Sequence, residues 1–213
     1  MSGLGIRLSP PDIPQPLSAI KPLKDAQRWD APFEEDGFTP CVSVFMNRSA
    51  YIRVTVHGDS AEVEVGGVLV GQWCTDEKTG EQFVMVNHAI PARHTRQGSV
   101  YLTFTQDSLV DLHEQIEKRF EGERIVGWYH THPRMGIFLS NYDTWLHKNF
   151  FPEPWQVALV VEPYSSLGGF FIRQPDGSLG ALRPPRLDWN NQFGNRYQID
   201  DQTQNECIEK NGN

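Results

Sequence analysis

Cysteine is scarce in this chain of 213 residues: Cys41, Cys74 and Cys207 lie far apart and in no Cys-x-x-Cys or zinc-ribbon spacing. That excludes a disulfide framework and a cysteine-built metal site, and the thiols are expected to be reduced. Cations are also in deficit, with 19 Lys and Arg against 27 Asp and Glu, for a formal charge of −8. Non-specific nucleic-acid affinity comes from clustered Lys and Arg, so no nucleic-acid partner is expected. Apolar runs such as Val65–Val70 and Val157–Val161 fall far short of the ~20 residues of a membrane-spanning helix. The opening MSGLGIRLSPPDIP has no apolar h-region. No membrane partner and no secretory leader are expected, and a cytoplasmic location follows.

What is present is the make-up of one ordinary domain, 38% hydrophobic and 22% charged. At this size roughly 70% of the unfolded surface can be buried, enough for a core without staples. Seven of the fifteen prolines, Pro10, Pro11, Pro14, Pro16, Pro22, Pro32 and Pro40, fall in the first forty residues. Proline fixes φ and removes an amide donor, so residues 1–40 read as an extended arm. Leu17, Ile20, Leu23, Trp29 and Phe33 favour an arm that wraps over the domain, and a partner-binding arm is the alternative. A folded unit spans 41–182. Residues 183–213 form a polar segment in which Trp189, Phe193 and Tyr197 recur every fourth residue, with a disordered tail from about Asp200.

Within the folded unit, alternating and β-rich runs predict strands at Val42–Phe45, Tyr51–Val56, Val63–Trp73, Phe83–Ile90, Val100–Thr105, Arg124–Tyr129, Gln156–Val161 and Gly169–Arg173. Leu109, Leu112, Ile116 and Phe120 recur at helical spacing and predict a helix over Ser108–Phe120, with a second over Asn141–Asn149. The expected class is α/β or α+β, with a mixed, mostly antiparallel sheet.

The chemistry concentrates in Gly127–Asp143, GWYHTHPRMGIFLSNYD. On a strand that runs on to His132, His130 and His132 point to one face, as two ligands of one metal must. Eleven residues on, Asp143 lies in the first turn of a predicted helix and can fold back with an oxygen ligand. Two imidazoles, one carboxylate and an open position describe a catalytic zinc site. Amide hydrolysis there also needs a base and an oxyanion donor. Glu64, which opens EVGGVLVG, and Ser140, three residues before Asp143, are the candidates. Glu62 competes with Glu64, and Ser140 with Asp143 equally reads as a helix cap.

Other features are set aside. His113-Glu114 lacks the second histidine of a zincin, since Glu117 stands there. His57, His88, His94 and His147 have no partner at ligand spacing and are expected at the surface. Gly66, Gly67 and Gly71 make no nucleotide-binding pattern. Met135, Ile137, Phe138, Trp145, Phe150 and Phe151 are read mainly as core, although an exposed Pro133–Leu139 loop would suit an extended peptide tail.

His130-Thr-His132, seven residues to Ser140, two more to Asp143, and an upstream Glu64 resemble the JAMM (MPN+) motif of JAB/MPN zinc metallopeptidases, over roughly Val42 to Arg173. The resemblance implies a cytidine-deaminase-like domain: a curved mixed sheet flanked by helices, with one zinc per chain. It implies hydrolysis after the C-terminus of a ubiquitin-like protein, by deconjugation or precursor maturation, in company with E1- and E2-like enzymes. His130, His132 and Asp143 would bind zinc, Glu64 would be general base and later acid, and Ser140 would bind the oxyanion. Only TWLHKNFFPEPW separates Asp143 from Gln156, and the segment around Pro91–Ser99 is short, which resembles compact bacterial members and speaks against linkage-specific polyubiquitin cleavage. A non-catalytic scaffold of the same fold, or a hydrolase acting on a sulfur-carrier-protein adduct, are the alternatives.

Overall fold

The computed structural model describes residues 14–20, 26–29, 41–92, 95–98, 101–104, 106–165 and 167–181. Most of the arm, His94, Cys207 and the 183–213 segment with Trp189, Phe193 and Tyr197 lie outside them. Two pieces of the arm, β1 (Leu17–Ala19) and β2 (Ala26–Trp29), join the sheet. There follow β3 (Ser43–Asn47), α1 (Arg48–Asp59), β4 (Gly66–Asp76), β5 (Gln82–Pro91), the hairpin β6 (Thr95–Gly98) and β7 (Tyr101–Phe104), and α2 (Gln106–Arg119). The chain continues through β8 (Arg124–Thr131), α3 (Asn141–Phe150), β9 (Val157–Glu162), β10 (Leu167–Arg173) and β11 (Leu179–Ala181). Among the described residues no helix is long and apolar enough to cross a membrane.

The main sheet runs β11-β10-β9-β8-β4-β5-β3-β2. Its β1·β4, β3·β5 and β8·β9 pairs are parallel and its other five are antiparallel, as the strand pattern predicts. The length of β4 lets it serve two neighbours on one edge: its first half pairs with β8 and its last residues pair with β1. The curved sheet is covered on both faces. Ala50, Tyr51 and Val54 of α1 join Val44, Leu69, Tyr129 and Leu159 in one core layer. Leu112 and Ile116 of α2 and Leu146 of α3 pack on Val68, Trp128, Val160 and Phe171 in the other.

Tyr51–Val56 is helical, not a strand. Its β-branched residues favour a strand locally, and six residues are too few to separate a period of 2 from one of 3.6. The longer run decides: Ala50, Tyr51, Val54 and Gly58 are the buried positions of α1, a helical stripe. Packing of that stripe on the sheet outweighs the modest propensity penalty of Val and Thr.

His147 corrects a second expectation, since it is fully buried and not at the surface. It shares the inward stripe of α3 with Asp143 and Leu146, and its Nδ1 accepts the Trp128 indole N–H at 3.0 Å. Loss of water pushes its pKa down to about 3, and the Arg173 charge adds to the shift. His57 is half-buried, with Nδ1 2.9 Å from the Tyr129 hydroxyl.

Two glycines permit the close strand approach. A Cβ at Gly67 would collide with the Ile90 carbonyl oxygen, and one at Gly127 with that of Val157. Gly127→Ala should therefore destabilise by at least ~2 kcal/mol, because backbone on both sides must move; an unchanged urea midpoint would contradict this packing. His147 has a folded pKa below its unfolded value, so its stabilisation is complete above about 6.5 and is lost as pH falls toward about 3. Between pH 7.5 and 5 the zinc-free wild type should lose about 2 kcal/mol from this residue, a loss absent from His147→Gln in urea titrations at the two pH values.

Candidate metal centre

The site is assembled where β4 begins and β8 ends. Gly66 pairs with His130 in the ladder. Beyond it, Thr131 N–H donates to the Val65 carbonyl at 2.8 Å and Val65 N–H donates to Thr131 Oγ1 at 3.0 Å. This extra pairing brings Glu64 beside the two histidines. On the other edge His132 N–H donates to the Val161 carbonyl at 2.8 Å, so the histidine segment is clamped from both sides.

His130, His132 and Asp143 are buried and converge as one group able to hold a metal ion. His130 Nε2 lies 2.9 Å from His132 Nε2. Asp143 Oδ2 lies 3.6 Å from the first and 4.0 Å from the second. Tetrahedral zinc with ligand bonds of about 2.0–2.1 Å holds its donors about 3.3 Å apart, so the triangle fits such an ion. The tautomers fit as well: His132 Nδ1 is 3.1 Å from the Gly136 carbonyl, which can only accept. The proton therefore sits on Nδ1 and the lone pair of Nε2 faces the centre. Two imidazole nitrogens this close in a dry pocket call for a cation or a shared proton between them. Among the described residues His130 Nδ1 is buried without a partner, and the ring is held by the Trp128 indole stacked on it at 4.7 Å.

Asp143 is oriented by its own helix. Ser140 is the N-cap of α3, and the capping box is complete: Ser140 N–H donates to Asp143 Oδ2 at 2.8 Å and Asp143 N–H donates to Ser140 Oγ at 3.1 Å. Burial alone would raise the Asp143 pKa, but the neighbouring His130 charge and the Ser140 N–H bond to its carboxylate bring it down to about 2. The cap reading of Ser140 is thus realised, and it leaves the hydroxyl proton free to donate elsewhere.

Glu64 is buried and Glu62 exposed, which separates the two candidates. Glu64 Oε1 lies 3.8 Å from His132 Nε2. Burial holds its carboxyl above the usual carboxylate range; the His130 charge opposes this and the Asp143 charge reinforces it. The loop after β8 departs from the core reading. Met135 and Phe138 are 40% and 44% exposed, with the Phe138 ring 4.6 Å from that of His132. Trp145 and Phe150 are exposed too, being off the inward stripe of α3, whereas Phe151 is core and Ile137 packs against it. Sequence reasoning missed Trp128 and His147, which lie under the site; the spacing of 143, 146 and 147 is the signal that finds His147.

Residues 43–151, just over half of the chain, match the family described as JAB1/Mov34/MPN/PAD-1 ubiquitin protease. The matched stretch contains Glu64, His130, His132, Ser140 and Asp143. The NAD(+) hydrolase TcpA of Theionarchaea archaeon is 32% identical over 111 residues, 52% of this chain and 30% of that protein. The ubiquitin carboxyl-terminal hydrolase RPN11 of Saccharomyces cerevisiae is 27% identical over 131 residues, 60% of this chain and 40% of that one. The chain thus matches less than half the length of these curated relatives. In structure it resembles a Desulfitobacterium hafniense protein solved in solution, with a TM-score of 0.51, 18% identity, and coverage of 64% of this chain and 87% of that one, a likeness of fold. The chain belongs to the JAB1/Mov34/MPN/PAD-1 family.

Proposed function

We propose that this chain is a zinc-dependent peptidase that cuts the peptide or isopeptide bond after the C-terminus of a ubiquitin-like protein, with 41–182 as its catalytic domain. The observation that carries this reading is the buried His130–His132–Asp143 triangle with Glu64 3.8 Å from its edge. The family description and the name of the yeast relative support the class of substrate.

His130, His132 and Asp143 would hold zinc, which would supply a Lewis acid that lowers the pKa of water toward neutrality. Glu64 takes the proton of the attacking water, and its raised pKa suits a base that must later return that proton to the leaving amine. The Ser140 hydroxyl donates to the carbonyl oxygen as it becomes negative. Met135 and Phe138 offer an apolar wall beside His132, along which an extended Gly-Gly tail can lie. Because the site is buried on its protein side, the substrate's own approach excludes the remaining water and strengthens each of these interactions.

Elemental analysis should find about one zinc per wild-type chain and none in His132→Ala; a folded wild type that takes up no zinc overturns the reading. Glu64→Gln should keep its zinc but cleave a Gly-Gly-terminated ubiquitin-like protein bearing a fluorogenic C-terminal amide ~10²–10⁴-fold more slowly. Wild-type rates in the zinc-loaded variant would remove Glu64 from the mechanism.

A further inference from the structure

Glu162, the last residue of β9, is a buried carboxylate that belongs to neither the metal triangle nor the proposed acid-base chemistry. It is nonetheless fully engaged by backbone. Its Oε1 accepts the Arg134 N–H at 3.0 Å and the Tyr164 N–H at 3.1 Å, and its Oε2 accepts the Ser165 N–H at 2.6 Å. One side chain therefore ties the loop after β8 to the turn after β9.

The loop needs that tie. Met135 N–H donates to the His132 carbonyl at 3.2 Å, closing a turn with Pro133 and Arg134 at its centre. Arg134 has φ 61°, the only left-handed non-glycine residue among those described. Proline followed by a positive φ is the pattern of a type II turn, whose third position normally carries glycine because a Cβ there crowds the following carbonyl. Two contacts hold the arginine in place: its N–H on Glu162, and its guanidinium 4.4 Å from the centre of the Tyr164 ring. The same turn delivers the Gly136 carbonyl to His132 Nδ1 at 3.1 Å.

We propose that Glu162 is a positioning residue: by holding Arg134 in its left-handed turn it presents the Gly136 carbonyl to His132, which fixes the imidazole with Nδ1 protonated and Nε2 bare toward the metal centre. The part concerning zinc rests on the function proposed above; the part concerning the tautomer does not. Partners that orient ligand histidines commonly change metal affinity by 10- to 100-fold when lost.

The test uses the full chain with Glu162→Ala, Glu162→Ala combined with Arg134→Gly, and Arg134→Val. In metal-free protein at pH 7.5, nitrogen NMR of the wild type should show a single Nδ1-protonated His132. Glu162→Ala, which removes the acceptor of the Arg134 N–H, should show a mixture of tautomers, and by chelator competition its zinc dissociation constant should rise about 10- to 100-fold. Arg134→Gly in the same chain should restore both, because glycine adopts the left-handed turn unaided. Arg134→Val, in which Glu162 is intact but the side chain resists that turn, should reproduce the loss and keeps the test open if Glu162→Ala does not fold. The proposal is overturned if Glu162→Ala or Arg134→Val keeps the wild-type tautomer and affinity, or if Arg134→Gly restores neither. A wild type that binds no zinc overturns the zinc reading alone, and the tautomer readout still decides the role of Glu162.

Discussion

Gly66 pairs with His130, and two hydrogen bonds past that pair, between Val65 and Thr131, carry the β4–β8 ladder to its limit. Everything at the candidate site depends on this short stretch of ladder. Glu64 reaches the histidines only because β4 starts where β8 stops, although they are more than sixty residues apart in the chain. The close approach is possible because Gly67 has no side chain to strike the Ile90 carbonyl on the opposite edge of β4. The register also sets the face. β8 is irregular against β4 between Gly127 and Ile125, leaving Val126 without a partner there. The extra residue lets Val126 and Tyr129 face the α1 side while Trp128 faces α3, and His130 stacks on Trp128.

Electrostatics then explains why so polar a cluster is tolerated in a buried place. Burial penalises every charged form. His132 responds by staying neutral, since burial holds its pKa down to about 4. Asp143 remains ionised because the Ser140 N–H bond to its carboxylate and the neighbouring His130 outweigh its desolvation. Glu64 has no such donors among the described residues, and burial raises its proton affinity. Two carboxylates in one pocket thus take opposite directions because one is bonded to a helix terminus and the other is not. This difference is what suits them to the separate roles of ligand and base in the proposed mechanism.

Much of this was legible in advance. A strand with period 2 aimed His130 and His132 to one face, and the resemblance of the offsets to Ser140 and Asp143 to the JAMM motif pointed to one site. The amphipathic run of α2 and the long apolar run of β4 were equally clear. Tyr51–Val56 was not, since the β-branched residues of α1 carry the local signature of a strand and only burial against Thr131 and its neighbours reveals the helix. The surface expected for His147 failed for a related reason: a lone histidine reads as polar until the indole that bonds it, nineteen residues away, is brought beside it.

The sequence by itself determined that His130 and His132 share one face and that Asp143 opens a helix, because a period of 2 and a helix start are local backbone geometry; the structure then brings the three together. The choice of Glu64 over Glu62 could be anticipated from the glycine run but was decided by register, which buries one and exposes the other. Tertiary structure alone decided that Glu162 holds the turn at Arg134, that Met135 and Phe138 stand open beside His132, and that Trp128 and His147 lie beneath. Each of these depends on contacts between segments far apart in the chain, whose energies arise only when the sheet has formed and water has been removed.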